Sequence, residues 1–321
     1  MTAVRAIKNG ISSIIGKMDK HAVFWLQLPF IVLFLLFIII PTVVAFVLSF
    51  TDFNSIQSPN WVGAENYINI LTNDDVFAGH ALPNTIKFAI IVGVFGYILS
   101  FVLAWILAQV PRVPRTILAA MLYLPSMTGP TMMQNVWQII FAGDKVGYLN
   151  ALLLKLDIIQ TPIIWLSDSN YIMTIMIVVS LWSCMGIGFL SMLAGILNVN
   201  RELYEAAHID GVSNRLQEVI YVTIPAIKPH MMFGAIMSIV NAFQNANIGV
   251  QLSGANPTPG YGGQLLITHA DEHAFVRYEM GYSAAISVIV LIIIFRQSNI
   301  RLGGNNAACV FAFQRAPPKH T

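Results

Sequence analysis

Residues 22–50 read AVFWLQLPFIVLFLLFIIIPTVVAFVLSF, 29 positions without one Asp, Glu, Lys or Arg. About 20 such residues, wound into a helix, cross the ~30 Å hydrocarbon layer of a bilayer. The stretch is about twice the usual h-region of a signal peptide and no small-residue cleavage site ends it, so it reads as a retained span. Outward from it the same signature recurs at 90–110, 117–141, 171–197 and 231–250, each free of charge. A sixth block, 280–295, ends at Arg296 and reaches only about 24 Å as a helix, so its outer end is expected to extend through Tyr278 or its neighbours. Pro29, Pro41, Pro125 and Pro130 are expected to kink or break their helices.

Composition agrees. Hydrophobic residues make up 56% of the 321 and charged residues 10%, against roughly a quarter charged in soluble domains. With the N-terminus inside, 13 of the 17 Lys and Arg fall on inner segments; only Lys87, Lys145, Lys155 and Arg277 fall outside. The formal charge of +2 thus reports topology, not nucleic-acid binding. Cys184 and Cys309 make no disulfide framework. The expected fold is all-α: a polytopic membrane protein with six transmembrane helices and a short cytoplasmic loop of two helices. Residues 1–21 form a basic lead, 22–297 the transmembrane domain with its loop at about 198–229, and 298–321 a tail. The external loop 251–279, rich in Gly and Pro, is expected to be irregular.

The inner loop between the fourth and fifth spans carries the most information. Asn200 can cap a first short helix, and Gly211 can end it in a left-handed conformation. Ser213 or Asn214 can cap a second, with Gln217 placed for a capping box and Pro225 as its end. Leu203, Ala206 and Ala207 share a face small enough for a partner to approach closely.

Glu205-Ala206-Ala207, then Gly211, then Ile224-Pro225, resembles the EAA motif of ATP-binding-cassette importer permeases. The fuller wording from Glu202 to Gly211 resembles the carbohydrate-uptake branch, which includes maltose permeases. So do Gly63-x-Glu-Asn-Tyr67, Tyr123-Leu-Pro125, Gly147-Tyr-Leu-Asn150 and Glu279-Met-Gly-Tyr282, so that the likeness covers about residues 22–295. It implies that Glu205, Ala206, Ala207, Gly211 and Pro225 connect to an ATPase subunit. It also implies four partners around this chain: a second homologous permease, two ATPase subunits and an extracytoplasmic solute-binding protein. The setting would be a bacterial plasma membrane, with ATP used by the partners and no cofactor bound here. The distance from Gly211 to Pro225 is one residue longer than the commonest family spacing, and the tail from 298 resembles no family ending.

Polar residues inside spans should face the bundle or a cavity. Asn241, Gln244 and Asn245 share one helical face beside Phe243; Gln134, Asn135 and Gln138 cluster around Trp137. Amides beside aromatic rings suit a neutral polyhydroxylated ligand, and they equally suit interhelical hydrogen bonds that hold a bundle together. Both readings stay open. The proposed spans hold no Asp or Glu, which argues against a proton-coupled secondary transporter and against a membrane-embedded enzyme. An importer of a non-sugar solute is the nearer alternative. His269-x-x-Glu272-His273 matches a zinc-protease pattern. A catalytic zinc usually takes three protein ligands, and after His273 the one remaining carboxylate is Glu279, so no metal and no catalytic residue is expected. The segment 10–18 fails as a phosphate-binding loop because Lys17 is followed by Met18.

Overall fold

The computed structural model describes residues 26–303 except 129, 245 and 246, with side chains described in that range except at 130, 131, 133, 243, 244 and 295–303. Regular structure among these residues is helical, beside one isolated bridge between Thr51 and Trp61. The chain runs through α1 (Leu26–Leu48), α2 (Glu65–Thr72) and α3 (Phe77–Ala108). Then come α4 (Arg112–Met127), α5 (Pro130–Ile140) and α6 (Tyr148–Lys155). Next, α7 (Ser169–Trp182) and α8 (Ile187–Leu197) together form a rod of 29 residues. The short α9 (Arg201–Ile209) and α10 (Arg215–Ala226) lead across an 84° bend into α11 (Lys228–Gln244). The last elements are α12 (Ile248–Ser253), α13 (Leu266–Asp271) and α14 (Met280–Gly303). Among the described residues, α1, α3 and the α7–α8 rod are long and apolar enough to cross a membrane.

Three prolines shape these helices in one way. Pro41, Pro83 and Pro225 each follow a five-residue π turn, at Leu35–Ile39, Phe77–Ala81 and Val219–Thr223. A proline lacks the N–H that an α-helix would use, and its ring crowds the carbonyl four residues back. That carbonyl belongs to Phe37, Gly79 or Tyr221, the middle residue of each π turn. Widening the turn moves it aside while the helix continues. Pro125 lies inside α4 without ending it. The break comes at Thr128, whose backbone is extended (φ −69°, ψ 130°), just before Pro130.

Several boundaries differ from expectation. The block 117–141 is two helices, and within 231–250 Asn247 leaves α-helical geometry (φ −85°, ψ 2°) before α12. The second span starts at Phe77, because α3 takes in residues assigned to the external loop. Tyr278 does not extend the last helix; its φ of +61° is left-handed, and α14 instead runs to Gly303, past the expected tail boundary at 298. The segment 251–279 is not irregular throughout: α13 and the π turn Glu272–Val276 occupy its second half, with Thr268, His269, Glu272 and His273 buried. Here polar side chains form the core of a small folded unit, which Gly and Pro content alone does not reveal. The lead 1–21 and residues 304–321 lie outside the described residues.

Among the described residues, three apolar clusters hold the bundle. Phe88 of α3 packs on Ile172, Met176 and Val179 of α7. Ile70, Phe77, Leu266 and Ile286 join α2, α3, α13 and α14. Ala104, Phe189, Met192 and Ile227 join α3, α8 and the bend before α11. Small residues permit close approach of α8 and α11, where a Cβ on Gly188 would lie 3.2 Å from the Gly234 Cα. By contrast, α1 is exposed along almost its whole length.

Candidate functional site

The loop between α8 and α11 is a two-helix knob, built as its residues dictate. Asn200 caps α9, accepting from the Glu202 N–H at 3.2 Å. Gly211 has φ +93° and ends that helix; the Val212 N–H donates to the Ala207 carbonyl at 2.9 Å, closing the turn. Asn214 and Gln217 form the capping box of α10. Pro225 does not end α10, which runs to Ala226 because the π turn at Val219–Thr223 accommodates the proline. A π turn holds one residue more than an α turn, which is where an additional residue between Gly211 and Pro225 can lodge.

Five further residues hold the knob's shape, and sequence reading missed them. Glu218 of α10 is buried, with carboxylate oxygens 3.1 Å from both His208 Nε2 of α9 and the Arg215 guanidinium. Across the same gap the hydroxyls of Tyr204 and Thr223 lie 3.0 Å apart. The pairs that cross between the helices, His208–Glu218 and Tyr204–Thr223, are 10 and 19 residues apart, beyond the reach of helical periodicity, while Arg215–Glu218 lies within α10. With the two helices joined from below, the outer side presents Leu203, Glu205, Ala206, Ile209 and Leu216 exposed, while Ala207 is half-buried. An apolar surface of this kind on a polar loop suits a protein partner.

A cavity of about 430 Å³ opens between α4, α5, α7, α8, α11 and α12. Of the amide and aromatic residues singled out above, Gln134, Trp137 and Asn241 line it. Asn135 is exposed and does not. Gln138 is turned to packing: its Nε2 donates to the carbonyls of Gln251 and Leu252 at 3.0 and 3.2 Å, tying α5 to α12. The side chains of Phe243 and Gln244, and Asn245 as a whole, lie outside the described residues. The structure adds Ser180, Ser183, Asn247 and Gln251 to the lining. Asn247, at φ −85° and ψ 2°, lies outside α-helical geometry just before α12, so a continuous helical register could not place it or Gln251. Three lining residues carry a buried polar atom without a hydrogen-bond partner: Trp137 Nε1, Ser180 Oγ and Asn247 Oδ1. These three atoms are sealed from solvent in this conformation, while the amides of Gln134, Asn241 and Gln251 and the hydroxyl of Ser183 belong to residues that line the cavity.

At the end of the bundle opposite the knob, Asp74 meets His269 and His273. Asp74 Oδ1 accepts from the Phe77 N–H at 2.8 Å, and Oδ2 accepts from Tyr282 at 2.9 Å and from His269 Nε2 at 2.8 Å. Burial alone would raise the Asp74 carboxyl, but the hydrogen bonds from His269, the Phe77 backbone and Tyr282 outweigh it and hold it well below the usual carboxylate range. Burial pushes His273 down, with the Glu279 carboxylate opposing. Buried Glu272 is held by Arg277 and Gln264.

Comparison with known proteins gives consistent results. The profile of the family described as binding-protein-dependent transport system inner membrane component matches residues 96–298. The arabinooligosaccharides transport system permease protein AraP of Bacillus subtilis (strain 168) is 30% identical over 88% of each chain. The lactose transport system permease protein LacF of Rhizobium radiobacter is 29% identical over 67% of this chain and 70% of that one. A bacterial ABC transporter involved in the import of the acidic polysaccharide alginate superposes with a TM-score of 0.73 at 20% identity, over 90% of this chain and 97% of its own. The same kind of transporter in complex with an alginate pentasaccharide-bound periplasmic protein gives 0.69, also at 20% identity, over 87% and 93% of the two chains.

Proposed function

We propose a function from one premise: the chain belongs to the family of binding-protein-dependent transport system inner membrane components. It is a permease subunit of an ATP-driven importer that takes up sugars or oligosaccharides. It has six membrane crossings with the N-terminus inside. The third crossing is broken at Thr128, the fifth is entered through the bend at Ile227, and the sixth is α14. The knob faces the cytoplasm and seats on an ATPase subunit through Glu205, Ala206, Ala207 and the Gly211 turn, with Pro225 and its π turn setting the angle of α10. The observation that carries this reading is the knob itself: two capped helices joined by Glu218, with apolar Leu203, Ile209 and Leu216 left exposed.

The partners are a second permease, two ATPases that bind the ATP, and a solute-binding protein at the other face. The chain has no active site of its own. Its chemistry is steric and polar: the cavity offers Gln134, Asn241 and the ring of Trp137 to the solute, and ATP-driven closure of the partners changes which side it opens to. Sugar is supported by the relatives named for arabinooligosaccharides and lactose, and by the amide and aromatic residues that line the cavity.

The test is reconstitution of the complex in proteoliposomes, with ATP hydrolysis measured across a panel of sugars, amino acids and ions. Stimulation by at least one sugar or oligosaccharide is expected, with ATP-dependent uptake. Stimulation only by another solute would refute the substrate class, and uptake without ATP would refute the machine.

A further inference from the structure

We propose that Asp74, His269 and His273 form a binding site for one divalent cation of the zinc class, clamping the start of α3 to the segment that leads into α14. The proposal stands on this cluster and not on the transport reading. One ligand atom from each residue lies within 4.8 Å of the others. Asp74 Oδ2 is 2.8 Å from His269 Nε2 and 3.9 Å from His273 Nε2. Ligands at ~2.0–2.1 Å from a tetrahedral zinc stand about 3.4 Å apart, so the two spacings bracket what the ion requires. The two histidine nitrogens, within 4.8 Å of one another, would close by up to about 1.4 Å to complete the cage.

A second observation points to the same ion. His269 and His273 are 1% and 5% exposed, yet each has one ring nitrogen without a hydrogen-bond partner: Nδ1 of His269 and Nε2 of His273. A buried unpaired ring nitrogen is costly, and a cation accounts for both. It takes Nε2 of His273 directly. It also takes Nε2 of His269, whose proton then moves to Nδ1, 3.6 Å from the Glu272 carboxylate. On His273 the other nitrogen already lies 2.7 Å from Glu279. Each histidine thus has a carboxylate behind it, the arrangement that fixes tautomer and orientation in zinc sites. The Tyr282 hydroxyl steadies Asp74, leaving a fourth position for water.

The groups facing the site are three carboxylates (Asp74, Glu272, Glu279), the Tyr282 hydroxyl, and Arg277, which is engaged with Glu272. That balance favours a cation. The third ligand comes from 195 residues upstream of His269, so a search confined to the sequence after His273 does not find it. Asp74 also caps the start of α3, and occupancy would therefore fasten that helix to α13 and α14.

The test uses the full-length chain in detergent, without a histidine tag, stripped with a chelator and titrated with Zn²⁺, Co²⁺ and Mg²⁺. One Zn²⁺ per chain is expected, with the intense visible absorption of tetrahedral Co²⁺ and a raised unfolding temperature. Glu279→Gln, at a half-exposed residue that touches no ion, should weaken Zn²⁺ affinity about 10-fold or more. His273→Ala should abolish the Co²⁺ spectrum, and His80→Ala, at an exposed histidine, should leave it unchanged. Weak six-coordinate Co²⁺ absorption in the unaltered chain would overturn the proposal without recourse to any variant. So would Zn²⁺ binding that survives His273→Ala, or that is no tighter than Mg²⁺.

Discussion

Replacing Gly211 with Ala should loosen the knob without touching the bundle. At Gly211 an added Cβ meets nothing within 4 Å, so no steric clash contributes. What remains is the backbone: φ is +93°, beyond the usual left-handed well, and an L-residue held there costs about 1–3 kcal/mol. That lowers the cost of opening the turn by the same amount, a factor of roughly 5–150. Hydrogen–deuterium exchange reads it directly, since the Val212 amide is protected by its bond to the Ala207 carbonyl. In the Ala variant, amides around Val212 should exchange about 5- to 150-fold faster, with solute-stimulated ATP hydrolysis falling in parallel and the unfolding temperature of the bundle unchanged. Asn tolerates positive φ better than Ala, so Gly211→Asn should recover part of both losses. Equal exchange in wild type and the Ala variant would refute the argument. So would an Asn variant as poor as Ala, because the effect would then lie in the lost approach to a partner rather than in the turn.

Other substitutions separate shape from contact. Glu218→Ala removes the joint between α9 and α10, but His208 and Arg215 are largely exposed. The loss should be no more than about 1 kcal/mol, seen as faster exchange confined to the knob; a fall in global unfolding temperature would contradict it. Asn150→Ala should destabilise by at least about 3 kcal/mol in thermal unfolding. Its buried amide donates to the carbonyls of Ala142, Asp144 and Ile163 and accepts from Ile163 N–H and Trp165 Nε1. Gly281→Ala would press a Cβ into the Thr51 carbonyl, a backbone group that cannot rotate away, and should cost about 3 kcal/mol; an unchanged unfolding temperature would show that α14 can shift there. Asn241→Ala should weaken uptake while the assembled complex still purifies, and unchanged uptake would remove Asn241 from the substrate path.

These variants also show what the sequence makes readable. Capping is local chemistry, so Asn200, Gly211, Asn214 and Gln217 could be assigned from spacing, and each has its expected role. Hydrophobic runs place helices but not their breaks, because a run free of charge reads the same whether the chain bends or continues. Thr128 and Asn247, both outside α-helical geometry, interrupt two such runs. For that reason the amide clusters divided on folding: Gln134 and Asn241 reached the cavity, and Gln138 became a tie between helices.

The short motifs whose wording resembles carbohydrate permeases offer a sharper case, since that wording suggested function and their contacts are architectural. In Gly63-x-Glu-Asn-Tyr67, Asn66 donates to the carbonyls of Ser49 and Thr51, and the Tyr67 hydroxyl meets Ser49 Oγ at 2.7 Å. Together they fasten the end of α1, where the chain leaves helix and its last carbonyls lack partners. In Glu279-Met-Gly-Tyr282, Glu279 holds His273, Gly281 lets α14 lie against the Thr51 carbonyl, and Tyr282 reaches Asp74. Both motifs therefore converge on one end of the bundle, joining α1, α2, α3 and α14 around polar groups that lipid could not solvate. A fold assembled mostly from interchangeable apolar helices gains its register from such points. The same polar joint brings two histidines and an aspartate within coordination distance, so the residues that fix the fold there also create the candidate cation site.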